Sequence, residues 1–205
     1  MYARKNSGKK LLAIVLAVIL LIGCAVGGTL AWLSAQSGPV TNTFSVGNIT
    51  IELWEHELTE DGLNLDSEVK ENRIYKIVPG ATQGKDPFVR VKKSSEKCYV
   101  YVCVKNELGA NVSYNIDASK WTEIPVNEAQ MQLYRFVGVI DAGAGDVTET
   151  VFSQITYSGD ITEETIGALD GKQIIINAFA HQAEHTDRTI ADTAALAHFN
   201  LTAKS

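Results

Sequence analysis

Cys98-Tyr99-Val100-Tyr101-Val102-Cys103-Val104 is the stretch on which the fold turns. It is apolar at odd and even positions alike, and rich in β-branched and aromatic side chains. Successive side chains of a strand point to opposite faces, so a strand apolar at both parities must be covered on both sides. The segment is therefore expected to be the central strand of a sheet. Cys98 and Cys103 fall on opposite faces and, at ~3.3 Å per residue, lie roughly 16 Å apart, beyond the ~7 Å Cα limit for a disulfide. Two buried free thiols are expected, and the fold must rest on a hydrophobic core.

Working upstream, Pro87 to Lys93 alternates Phe88, Arg90 and Lys92 with Val89 and Val91, a strand with one wet face. Arg73 to Val78 reads as a short strand stopped by the turn pair Pro79-Gly80. Residues 55–72 are acidic with little periodicity and read as a solvated loop. A sharper reading makes Glu55, His56, Glu57, Glu60 and Asp61 a calcium-type cation site, although their spacing matches no defined calcium loop. Phe44 and Val46 share one parity and Ile49, Ile51 and Leu53 the other, so one strand bent at its middle by a bulge or kink at Gly47-Asn48 is expected.

Working downstream, strands are expected at residues 111–116, 121–124, 131–140, 147–157 and 172–180, with a turn over 141–146. Residues 161–169 read as one or two helical turns ended by Gly171. Residues 187–201 set Ile190, Ala194, Ala197 and Leu201 on one side at helical spacing, an amphipathic C-terminal helix. Many short strands with little helix define the expected class: mainly β, a jelly-roll-like antiparallel β-sandwich with short helices.

Ahead of this body stands LLAIVLAVILLIGCAVGGTLAWL, residues 11–33, uncharged and directly after the basic cluster Arg4, Lys5, Lys9 and Lys10. A basic region, an apolar run and a patch of small residues are the parts of a secretory signal. Three readings stay open. Thr29 and Ala31 supply the small side chains for cleavage between Ala31 and Trp32. Left uncleaved, residues 11–33 form an N-terminal transmembrane helix, the chain's membrane contact. Alternatively Leu21-Ile22-Gly23-Cys24 is a lipobox with Cys24 acylated. Each sends the rest of the chain out of the cell, as a secreted, matrix, cell-surface or anchored protein. The resulting division is residues 1–31 as signal, 32–43 as a polar leader interrupted by Gly38-Pro39, and 44–205 as the β domain.

The whole chain has 18 basic and 24 acidic residues, and the four basic residues of the signal have no acidic counterparts. Residues 32–205 thus carry 14 against 24, a net charge of −10. Such a surface repels phosphate backbones, which argues against nucleic-acid partners and keeps a concentrated exported protein soluble.

Gly27-Gly28-Thr29-Leu30-Ala31-Trp32-Leu33, followed by Val40 through Ile51, resembles the signal and first mature strand of bacterial TasA/camelysin proteins exported through the SipW-type signal peptidase. Further matches are Tyr75 to Gly80, Lys85-Asp86-Pro87 leading into Val89-Arg90-Val91, Cys98 to Val102, and Ile175 to Ala183, where Phe179 and His181 depart from the family's usual residues. The resemblance implies a jelly-roll-like sandwich, cleavage by that peptidase, and a non-enzymatic surface or biofilm-matrix protein able to form homopolymeric fibres. A mechanism is donor-strand exchange, in which the released N-terminus completes a neighbour's sheet through Leu33, Val40, Phe44 and Val46. A monomeric module, whose first strand pairs within its own sheet, is the plainer alternative.

The resemblance also raises an enzymatic reading, because camelysin is described as a zinc peptidase. His181-Gln182-Ala183-Glu184-His185 fits the inverted zinc-peptidase pattern, in which two helical histidines bind zinc and a carboxylate acts as base. Against it, His181 continues a strand, where a spacing of four does not bring His185 alongside. No catalytic residue and no cofactor is therefore assigned, and zinc or calcium remains the minor alternative.

Overall fold

The computed structural model describes residues 45–46, 48–58, 65–70 and 76–204. The signal and leader readings, with Cys24, Ala31, Trp32, Leu33, Val40 and Phe44, lie outside the described residues. The strands are β1 (Ser45–Val46), β2 (Ile49–Leu58), β3 (Leu65–Val69), β4 (Thr82–Gly84), β5 (Phe88–Val91), β6 (Cys98–Asn106), β7 (Val112–Ile116), β8 (Trp121–Ile124), β9 (Met131–Phe136), β10 (Val147–Thr150), β11 (Phe152–Tyr157) and β12 (Ile174–Gln182). Among the described residues two short α-helices, α1 (Glu163–Ile166) and α2 (Arg188–His198), accompany the strands, and the structure is mainly β with every strand pair antiparallel.

The CYVYVCV segment lies inside β6, between β12 and β9 in a sheet ordered β12-β6-β9-β8. Both faces are buried, as its composition requires. Val100, Val102 and Val104, with Ala178 and Ala180 of β12, meet Ile49 and Ile51 of β2, Val89 and Val91 of β5, and Phe152, Ile155 and Tyr157 of β11. The opposite face carries Tyr101, Cys103, Leu133 and Phe179 and packs beneath Ala191 and Ala195 of α2 and Leu201. Each thiol is buried in a different cluster, Cys98 in the first and Cys103 in the second, and both are free.

Two other sheets, β1-β2-β5-β10 with β3 also on β2, and β4-β11-β7, are joined at one corner. The single strand expected over 147–157 divides at Val151: β10 pairs with β5, and β11 pairs with β4 and β7. The partner chain bends at the same level, β4 ending at Gly84 and β5 starting at Phe88. Val151 N–H donates to the Pro87 carbonyl (2.8 Å) and Lys85 N–H to that of Ser153 (3.2 Å), which ties the two bends together.

Several expectations are corrected. The phase change at Gly47-Asn48 is neither a bulge nor a kink in one strand: Val46 opposes Ile49 and Ser45 opposes Thr50, so the chain reverses across positions 47 and 48. A reversal resets side-chain parity without inserting a residue, and Gly-Asn is a two-residue hairpin signal. Residues 55–72 are not simply a loop, because β2 extends to Leu58 and pairs with β3. Acidic side chains keep a hairpin exposed to water but leave its backbone free to pair, and Glu52 and Glu68 stand on one face of β2–β3 while Glu55 and Glu57 stand on the other. Lys76 to Val78 is irregular, but the Pro79-Gly80 turn is present, with Gly80 at φ +74° and Ala81 N–H donating to Val78 O at 3.0 Å. The strand from Met131 ends at Phe136, and Ile140 makes a lone bridge to Cys98.

In α2 the buried stripe is Ala191 and Ala195, whereas Ile190 is 55% exposed. Small side chains let the helix approach the sheet closely, and Asp192 fixes its rotation. Its carboxylate accepts from the Tyr101 hydroxyl (2.9 Å) and from the Arg135 guanidinium, both on the sheet face beneath. The helix starts at a sharp cap, the Asp187 carboxylate accepting from Ile190 N–H at 2.9 Å.

Candidate functional site

The edge of β2 that faces away from β5 is where the N-terminal segment enters the fold. Thr50 O accepts from Lys92 N–H and His56 N–H donates to Asp86, so even-numbered backbone groups of β2 point toward β5. Odd-numbered groups point to the other edge. That edge is shared by β1, opposite Ile49 and Thr50, and β3, opposite Glu55 to Leu58, with Ile51 and Leu53 between them. Ile49 and Ile51 are buried, so this edge borders the main core directly. Of the proposed assembly residues only Val46 falls on described backbone, at the register position opposite Ile49.

At the other end of β2 the corner holds two ion pairs. Lys85 Nζ lies 2.6 Å from Glu55 Oε2, with both side chains largely buried. Asp86, 6% exposed, grips His56 twice: Oδ1 accepts its backbone N–H at 3.0 Å and Oδ2 sits 2.6 Å from Nδ1. The His56 ring tilts over Phe88 at a centroid distance of 5.1 Å. Adjacent residues of β2 are thus held by adjacent residues of the corner, which fixes where the strand bends. The carboxylates of the cation-site reading are accordingly engaged: Glu55 with Lys85, and Glu57 accepting from Ser67 at 3.3 Å, while Glu60 and Asp61 lie outside the described residues.

The solvent face of the same sheet is a lattice of opposite charges. Lys70 bridges Glu52 (2.9 Å) and sits 4.2 Å over the Trp54 ring, Arg90 binds Glu68 (2.6 Å), and Lys92 binds Asp146 (2.5 Å). The Lys70 ammonium holds the Glu52 carboxyl below its ordinary range, and the Arg90 guanidinium does the same for Glu68. Such exposed pairs set surface character more than stability.

The histidine motif does not assemble on a helix. His181 is near the end of β12 opposite Tyr99, with Nδ1 3.0 Å from the Gln182 carbonyl oxygen, and His185 stands in the following turn at φ +58°. Glu184 and His185 therefore share no helical face with His181. Among the described residues, no group of three or more His, Cys, Asp or Glu is placed to hold a metal ion. The described helices include none long and apolar enough to cross a membrane.

Sequence reasoning missed the roles of Lys85 and Asp86. Their one signal was two opposite charges directly before a proline that opens a strand, which marks a bend but says nothing of burial. The thiols carry no reactive character: burial pushes Cys98 up to about 12 and Cys103 up to about 11. No protein-family model, no curated protein and no solved structure matches the chain.

Proposed function

We propose that this chain is an exported structural protein whose β domain is a jelly-roll-like sandwich and whose working end is its N-terminal strand. More narrowly, it is a TasA-type surface or biofilm-matrix protein, released between Ala31 and Trp32 by a SipW-type peptidase. The observation that carries this reading is the position of β1, a two-residue strand on the outer edge of β2 immediately after the leader. A strand continuing that register sets Phe44 opposite Ile51 and Asn42 opposite Leu53, along the stretch of edge between β1 and β3. Main-chain pairing along that edge, which borders the buried Ile49 and Ile51, supports donation of the segment to a neighbouring copy as well as to its own sheet.

Deleting Trp32 to Thr43 from the exported protein is expected to abolish fibres in electron micrographs, and normal fibres from the deleted chain would overturn the reading. The pairing of β1 with β2 of its own chain favours a second reading, a monomeric surface module, and a chain that stays monomeric at high concentration would establish it. The zinc-peptidase alternative is separated by metal analysis: stoichiometric zinc lost in both His181→Ala and His185→Ala would favour it.

A further inference from the structure

We propose that a cleft on the flank of the β domain, between β7 and the first half of β9, binds a neutral saccharide of one or two sugar units. The cleft follows from how the sheets end. Among the described residues β7 pairs with β11 alone, and β8 covers β9 only from Leu133 to Phe136, leaving Met131 and Gln132 uncovered. The resulting opening has a volume of about 440 Å³, within the size range of small-molecule sites. The Tyr114 hydroxyl donates to Gln132 Oε1 across it, and Phe152 stacks on the Tyr114 ring at 4.8 Å, so its shape is braced before any ligand enters.

The lining chooses the ligand class. It contains no charged side chain, so a phosphate or carboxylate meets no cation and a metal ion meets no carboxylate. Its polar groups are hydroxyls and carboxamides, from Ser113, Tyr114, Gln130, Gln132 and Tyr134. Asn106 is consumed locally, donating to Gly109 O and Val112 O and accepting from Leu108 N–H, and acts as wall. Tyr134 is different. It is 7% exposed, faces the cleft, and its hydroxyl bonds to no described residue. Burial of the ring holds its phenol up to about 12, so it stays protonated at neutral pH, and its hydroxyl opens into the cleft as a donor that a ligand can use. With Gln132 Oε1 engaged by Tyr114, the Gln132 amide nitrogen likewise keeps its donors for a ligand. An apolar ligand would bury these groups unpaired, whereas sugar hydroxyls accept from and donate to all of them.

The test titrates ¹⁵N-labelled full chain with glucose, galactose, mannose, N-acetylglucosamine, maltose and cellobiose, and with glucuronate and inorganic phosphate. At least one neutral sugar is expected to bind with Kd on the order of 1 mM, shifting amides of residues 106–116 and 129–134. Tyr134→Phe, which keeps the ring and its packing, and Gln132→Ala are each expected to weaken binding about fivefold, with Gln130→Ala at the exposed mouth costing about twofold. The two anions are expected not to bind. The proposal is overturned if no neutral sugar binds at about 20 mM, if glucuronate or phosphate binds as well as the best sugar, if the shifts map elsewhere, or if folded Tyr134→Phe binds unchanged.

Discussion

Replacing Asp86 by alanine tests whether the corner is held by its carboxylate. Asp86 is 6% exposed and accepts two bonds from His56, at 3.0 Å from the backbone N–H and 2.6 Å to Nδ1. Charge-assisted bonds contribute about 1.5–3 kcal/mol each, and a buried donor left without an acceptor costs about 1–3 kcal/mol. Solvent reaching the half-exposed His56 ring returns part of this, so Asp86→Ala is expected to cost ~3 kcal/mol. Asp86→Asn keeps an oxygen for the His56 N–H and loses the charge, and is expected to cost about half as much, ~1.5 kcal/mol. With a urea m-value of about 2 kcal/mol/M, the midpoints fall by ~1.5 M and ~0.7 M. Urea titrations followed by tryptophan fluorescence measure both. An alanine variant within about 0.3 M of the parent, or an asparagine variant as weak as alanine, would refute the argument.

Val102, fully buried in the main core, is expected to cost about 2 kcal/mol when cut to alanine, read as a lower thermal midpoint with an unchanged circular-dichroism spectrum. Asp192→Ala removes the acceptor shared by Tyr101 and Arg135, and is expected to cost ~2–3 kcal/mol and to make the chain after Asp187 the first site of proteolysis. Cys98 and Cys103 are expected to resist a thiol reagent at pH 8 in the folded protein and to react fully in denaturant, because burial raises both above the solution pH. Burial lowers His198, stacked on Phe179 at 4.5 Å, below the ordinary histidine value. The unfolded chain therefore binds a proton there first, and stability should fall as pH drops from 7 toward 5, a slope that His198→Gln reduces in pH-dependent melting.

Residue parity determined a good deal by itself. A strand apolar at both parities had to lie between two layers, so β6 as the central strand and the separation of Cys98 from Cys103 followed from spacing alone. Proline and glycine set local backbone angles, which is why the turn at Pro79-Gly80 was legible. Only the tertiary structure decided the features that depend on what arrives from far along the chain. Parity cannot distinguish a bulge from a reversal, and it was pairing between Val46 and Ile49 that made positions 47 and 48 a hairpin. Helical spacing admitted more than one buried stripe, and Tyr101 and Arg135 on the sheet below turned Ala191 and Ala195 inward in place of Ile190. The break at Val151 and the burial of Lys85 and Asp86 arise from chain crossings thirty or more residues apart in sequence, and the cleft beside Tyr134 from one of eighteen, distances over which local propensity carries no information.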